Sequence, residues 1–194
     1  SGFWAITRLD DLVDVHRDHR TFSSQVGGTE LEELENDPEA REARRTMLET
    51  DPPEHTRIRK LVSRNFTRGA ISKWESTARA LIAENMDKAL LDHRVDFVET
   101  VARQFPIQMI SKLLGVPDRD AEQLFHWADA VVYHTDPDFS ELLYDKEDTE
   151  PYRLLPFRSP SSLKVFEYAQ KLASEKAKCP EADVVSILAA SEEL

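Results

Sequence analysis

From Ala70 to Lys178 the chain repeats apolar residues at intervals of three and four, and proline or glycine interrupts the repeats. That spacing is the signature of helices with one buried face. Ala78, Leu81, Ile82, Ala89 and Leu90 predict a helix over 70–91. Val101, Phe105, Met109, Ile110, Leu113 and Leu114 predict a second, with a kink or restart at Pro106. Gly115 suits its C-cap, and Pro117 prevents its continuation. Asp118 is expected to cap a third, running to about His134, with Ala121, Leu124, Phe125, Ala128 and Val131 inward. Ser159 and Pro160 open a fourth, running to about Lys178, with Leu163, Phe166, Ala169, Leu172 and Ala173 inward. Only 5 glycines occur in 194 residues, which fits long helices better than a turn-rich β fold. Shorter elements complete the pattern: a β-strand over Phe3–Arg8, helices over Leu9–Arg17 and Asp183–Ala190, and a helical turn around Pro38–Arg45.

The stretch Asp51-Pro52-Pro53-Glu54-His55-Thr56-Arg57-Ile58-Arg59-Lys60-Leu61-Val62-Ser63-Arg64-Asn65-Phe66 predicts a helix with two unlike faces. Asp51 is a plausible N-cap, either proline can open the first turn, and Glu54 places negative charge where the helix dipole favours it. At about 100° per residue, His55, Arg59, Val62 and Phe66 share one stripe, while Arg57, Lys60 and Arg64 share the opposite one. A histidine and an arginine one turn apart above apolar residues ask for an anion, and the arginine fork matches a carboxylate. The alternative is that Arg59 bonds a loop carbonyl and His55 is structural.

Residues 55–74 hold six Lys or Arg and no acid, within a chain of net charge −12. A general affinity for nucleic acid or anionic membrane is therefore not expected, and the basic segment is either a docking face for an acidic partner or a solvated helix face. The single cysteine, Cys179, allows no internal disulfide and fits a cytoplasmic protein. No apolar run approaches the roughly 20 residues of a membrane span. The six histidines show no metal-binding spacing, and nucleotide-loop and hydrolase motifs are absent.

Three segments carry a family resemblance. D-P-P-E-H-T-R-I-R-K-L-V-S-R-N-F-T resembles the C helix of the bacterial cytochrome P-450 family, the haem-thiolate monooxygenases. F-P-I-Q-M-I-S-K-L-L-G-V-P resembles its E helix, and the strand, helix and T-F-S-S at the start resemble its approach to the substrate loop. The resemblance covers nearly the whole chain and implies a mainly α, P-450-like fold. It implies that His55 and Arg59 hold a propionate of haem b. It also implies that residues 25–48 arch over the haem, and that the helices flanking residues 135–158 open and close over a small hydrophobic substrate; Met47 and Leu48 are candidate pocket or core residues. Electrons would come from a ferredoxin-type donor docking on Arg57, Lys60 and Arg64.

The chain is read as lacking the family's A-G-x-x-T oxygen-activating helix, its E-x-x-R and its F-x-x-G-x-x-x-C-x-G haem loop. Cys179, in Lys-Cys-Pro-Glu, is accordingly read as a structural or surface thiol. Residues 1–194 are expected to be part of a single cytochrome P-450 domain, without its start and C-terminal half, and inactive alone. The competing expectation is a haem-free helical interaction module derived from the same fold.

Overall fold

The computed structural model describes residues 3–27, 37–91, 94–133, 136–139, 148 and 150–191. The acidic run after Gly27 and residues 135, 140–147 and 149 of the expected loop over 135–158 lie outside the described residues, as do His93 and His134. In chain order the α-helices are α1 (Leu9–Arg17), α2 (Ser24–Gly27), α3 (Pro38–Ala43), α4 (Glu54–Ser63), α5 (Arg68–Ile71), α6 (Glu75–Ala89), α7 (Gln104–Leu114), α8 (Asp118–Val132), α9 (Pro160–Lys178) and α10 (Val184–Ala189). Each of α6 to α10 packs on the next, and α10 returns to pack on α4. No helix among the described residues is long and apolar enough to cross a membrane.

No strand forms among the described residues. Residues 3–7 are irregular, and Trp4 is 93% exposed. A strand needs a partner backbone for its N–H and C=O groups, and the aromatic composition of Phe3–Arg8 supplies none.

The helix expected over 70–91 is broken. Thr67 accepts a bond from the Ala70 N–H at 3.3 Å and starts α5, and a 3₁₀ turn over Ser72–Trp74 then leads into α6. The inward residues of α6 are Leu81, Asn85 and Ala89, whereas Ile82 and Leu90 face outward. Asn85 donates to Gln108 Oε1 of α7 at 2.9 Å, which satisfies an otherwise costly buried amide. Ahead of α7 the chain makes a π turn over Val98–Ala102, where Arg103 N–H reaches Val98 O at 2.8 Å. The restart therefore precedes Pro106, which falls in the first turn of α7 where no backbone donor is needed. Gly115 ends α7 at φ 83°, and Val116 N–H bonds Ser111 O at 2.8 Å. Asp118 does not cap α8. Pro117 holds the cap position, and the Asp118 carboxylate takes Lys112 Nζ at 3.0 Å.

The inward stripe of α9 also differs from the expectation. Leu163, Phe166 and Ala169 are exposed, while Ser162, Leu172 and Lys176 are buried. Polar anchors set the rotation of this helix. Ser162 Oγ donates to Pro156 O at 2.6 Å, and Tyr168 donates to Asp120 of α8 at 3.0 Å. The Tyr168 ring meets Trp127 edge-on at 6.3 Å. Burial first, and then the Asp120 carboxylate, push the Tyr168 phenol up to about 12. At the far end of α9, Lys176 Nζ lies 2.8 Å from both Glu181 and Asp183. Asp183 also caps α10, accepting from Ser186 N–H at 2.7 Å, and its carboxyl packs directly over Gly115. Three helix ends, of α7, α9 and α10, thus meet at one carboxylate.

Candidate functional site

The start of α4 is fixed by Asp51, although not as its cap. The Asp51 carboxylate accepts from Ser23 Oγ at 2.5 Å and Ser24 N–H at 3.0 Å, so it ties the T-F-S-S segment and α2 to the helix. Pro53 takes the N-cap position without a side-chain bond. Thr46 and Glu49 form a reciprocal capping box around the Met47–Glu49 turn that packs on α4. This turn leaves Leu48 exposed and Met47 half-buried.

The two stripes of α4 have different surroundings. Arg57, Lys60 and Arg64 line an open groove of about 1030 Å³, together with Leu61, Asn65, Pro52, Pro53 and Ile187 of α10. His55, Arg59, Val62 and Phe66 do not line it. The helix therefore separates them, as its sequence pattern predicts. His55 and Val62 are half-buried, Arg59 is exposed, and Phe66 is 53% exposed. The Arg59 guanidinium makes no ion pair or hydrogen bond among the described residues. An unpaired arginine fork on a stripe that also shows an aromatic ring fits a flat apolar molecule with a carboxylate edge, as a haem has.

Arg57 departs from the simple two-face picture. It is half-buried, and it donates to Glu54 at 2.7 and 3.1 Å. That bond holds the Glu54 carboxyl below its usual range. Much of the Arg57 charge is thus neutralised within the helix, and the cationic character of the groove rests on Lys60 and Arg64. Glu54–Arg57 is also a literal E-x-x-R, as are Glu42–Arg45 and Glu150–Arg153, so that spacing is present after all. All three are ion pairs of residues one turn apart, at 2.8 Å for Glu42–Arg45 and 3.6 Å for Glu150–Arg153. Cys179 is exposed at the end of α9. No three His, Cys, Asp or Glu side chains converge on a metal site among the described residues.

Two contributors to these surfaces carry no local signal in the sequence. Ile187 reaches the basic groove from a helix more than a hundred residues away. Arg153 bonds Asp37 and Glu39 of the α3 start across a similar separation.

No family model matches the chain. Among curated proteins it is 36% identical over 191 residues to the steroid C26-monooxygenase of Mycobacterium tuberculosis, matching 96% of this chain and 40% of that protein. It is 30% identical over 164 residues to the methyl-branched lipid omega-hydroxylase of Mycobacterium bovis, covering 78% of this chain and 36% of that one. Among solved structures, a Mycobacterium marinum cytochrome P450 in complex with pseudoionone superposes with a TM-score of 0.79 at 33% identity, over 98% of this chain and 44% of that one. The chain spans about 40% of the length of the curated relatives it matches. With this helical order, and with relatives of that kind along nearly its whole length, the chain belongs to the bacterial cytochrome P450 family.

Proposed function

We propose that residues 1–194 are the propionate-anchoring and substrate-covering part of a haem-dependent monooxygenase. The observation that carries this reading is the Arg59 stripe, an exposed fork without an ion pair among the described residues, beside half-buried His55 and exposed Phe66. Arg59 and His55 would hold a propionate, and Val62 and Phe66 would give the macrocycle an apolar flank. A bound haem b would supply dioxygen activation, with thiolate ligation of its iron favouring O–O cleavage. Cys179 stands exposed at the end of α9, and on this reading the thiolate is supplied from outside residues 1–194.

The substrate class follows from the relatives' names, one a steroid hydroxylated at carbon 26 and the other a methyl-branched lipid oxidised at its omega end. Carbon 26 ends a sterol side chain and an omega carbon ends a lipid chain. We therefore assign this protein the insertion of one oxygen atom at the end of a branched aliphatic chain, with the second oxygen leaving as water. In the complete, haem-loaded protein, a sterol or a methyl-branched fatty acid should displace water from the haem pocket and shift the Soret band. A straight-chain acid of equal length should bind more weakly. Equal binding of branched and straight chains overturns the substrate assignment, and a complete protein that retains no haem overturns the enzyme reading.

Electrons would arrive from an acidic ferredoxin at the groove between α4 and α10. Lys60→Glu with Arg64→Glu should slow reduction by that donor about ten-fold or more at low ionic strength, with the deficit closing as salt is added. Both side chains are exposed, so stability should change by no more than about 0.5 kcal/mol. Stopped-flow reduction at two salt concentrations checks this, and an unchanged rate at low salt removes the groove as the docking face.

A further inference from the structure

Three arginines lie on α3 and at its end, and two of them have partners. Arg45 donates to Glu42 at 2.8 Å, and the buried Arg44 donates through Nε to Arg153 O at 2.6 Å. Arg41 is half-buried, and its guanidinium makes no ion pair or hydrogen bond among the described residues. It lines a cavity of about 440 Å³ between α2 and α3, within the size range of small-molecule sites. The other polar groups of the cavity do not satisfy it. The Glu42 carboxylate is taken by Arg45, and Ser23 Oγ donates to Asp51 at 2.5 Å. Val26 and Pro38 add an apolar wall. Of the charges lining this cavity, Arg41 is the uncommitted one.

A half-buried arginine without a partner is costly, and an anion relieves the cost. The arginine fork matches a carboxylate, to which it can donate two parallel bonds. The sequence around Arg41 is acidic, so the long-range field does not draw an anion in. Recognition rests on the fork at contact distance.

Both walls of the cavity are held in place, so little ordering is needed on binding. Asp37 caps α3 by accepting from Ala40 N–H at 3.0 Å, and Arg153 bonds both oxygens of the same carboxylate. On the opposite wall the Asp51 carboxylate holds Ser23 and Ser24. The Asp51 carbonyl accepts the His55 N–H at 3.0 Å. One residue thus joins the cavity wall to the first turn of α4, the helix that carries the Arg59 stripe.

We propose that this cavity is a carboxylate subsite, in which the Arg41 fork holds the acid end of a methyl-branched fatty acid. The proposal rests on the branched-chain reading above and chooses within it. The omega carbon of such an acid lies at the end opposite its carboxyl, so Arg41 fixes the end that does not react. A neutral sterol gains nothing from the fork, and the cavity therefore favours the acid. Arg41 is a specificity residue and not a catalytic one.

The test titrates 15-methylhexadecanoic acid and its methyl ester into the complete haem-loaded protein, with calorimetry for binding and absorbance for the Soret band. The wild type should bind the acid about ten-fold more tightly than the ester, the factor that a charge-assisted bond at the low end of its range represents. Arg41→Gln should bring the acid down to the ester's affinity, and leave the ester's affinity and the melting temperature unchanged. Arg41→Lys keeps the charge without the fork and should fall between the two. Equal affinities for acid and ester in the wild type overturn the subsite. So does a loss in Arg41→Gln that the ester shares, since a residue that only shapes the fold would act on both. Acid selectivity that appears in the heat and disappears in Arg41→Gln, with no Soret shift in the wild type, upholds the subsite and overturns its link to the haem reading. A wild type that binds neither compound overturns the subsite and the branched-chain reading together.

Discussion

Replacing Asp183 by alanine in the complete protein is expected to lower folding stability by about 3 kcal/mol, the lower end of the cost of breaking a buried ion pair from one side, because Lys176 keeps Glu181 at 2.8 Å. Asp183 is 4% exposed and Lys176 8%, so neither charge has water to fall back on. The carboxylate also caps α10 through the Ser186 N–H, and a lost cap costs about 1 kcal/mol by itself. Asp183→Asn keeps an acceptor for that cap and should be the gentler change. The charge balance gives the pH dependence its sign. Burial pushes the Asp183 carboxyl up, but the bonds from Lys176 and Ser186 outweigh it and hold the group below its ordinary range. Its contribution is therefore present above the carboxylate's unfolded value and is lost as pH falls through the lower folded value. Lys176 is held above its ordinary range by Asp183 and then Glu181, so its share is present below the unfolded lysine value and lost as pH rises past the higher folded one. The pair thus supports the fold between about pH 4 and pH 10. Denaturant midpoints of the two variants check this, and equal midpoints for Asp183→Ala and wild type would remove the pair from the stability of the fold. Gly115→Ala attacks the same point from below. An added Cβ would lie 2.3 Å from Asp183 Cγ, at a backbone φ of 83° that alanine resists. Because the same carboxyl is the obstacle, Gly115→Ala and Asp183→Ala together should cost less than the sum of the two.

How much of this was legible depended on whether the deciding partner was local. The bounds of α1 and α9 were readable, since capping and termination use residues within a few positions: Ser159 and Pro160 open α9 where the pattern says. The rotation of α9 was not. Leu163 and Phe166 look inward by hydrophobic spacing, but Ser162, Tyr168 and Lys176 find partners on other segments, and those bonds choose the face. Ile82 and Leu90 on α6 fail in the same way, since periodicity marks apolar positions without saying what covers them. The strand over Phe3–Arg8 failed because strand formation is a property of two segments. Asp51 failed as a cap because Ser23 and Ser24, 28 and 27 residues away, compete for its carboxylate.

The separation of the two stripes on α4 was legible, because a single helix fixes both. Its balance of charge was not, since Glu54 could serve the helix dipole or pair with Arg57, and the structure chooses the pair. The Arg153 cluster had no sequence signal at all. Its partners are more than a hundred residues apart, in stretches rich in both signs of charge.

Arg59→Ala in the complete protein is expected to weaken haem retention by roughly ten- to a hundred-fold. A charge-assisted hydrogen bond of the kind an arginine makes to a propionate is worth about 1.5–3 kcal/mol, and each 1.4 kcal/mol is a factor of ten. The loss should be partial, since the haem would keep its iron ligand and its apolar contacts. His55→Ala should act in the same direction and less strongly, because one imidazole nitrogen can donate to the anion where the arginine fork can donate twice. The control lies on the same helix. Arg57 is two residues from Arg59, carries the same charge, and is bound to Glu54 at 2.7 Å on the groove side. Arg57→Ala should therefore leave haem retention at the wild-type level while changing helix propensity and net charge as Arg59→Ala does. The haem-to-protein absorbance ratio after gel filtration, and the rate of haem transfer to an apo-globin acceptor, measure the difference without any turnover. Conservative replacement sharpens the comparison. Arg59→Lys keeps the charge and loses the fork, so it should recover part of the affinity but not all of it. If Arg57→Ala and Arg59→Ala shed haem at the same rate, the stripe of His55, Arg59, Val62 and Phe66 has no special relation to the propionate, and the anion that Arg59 awaits is something else.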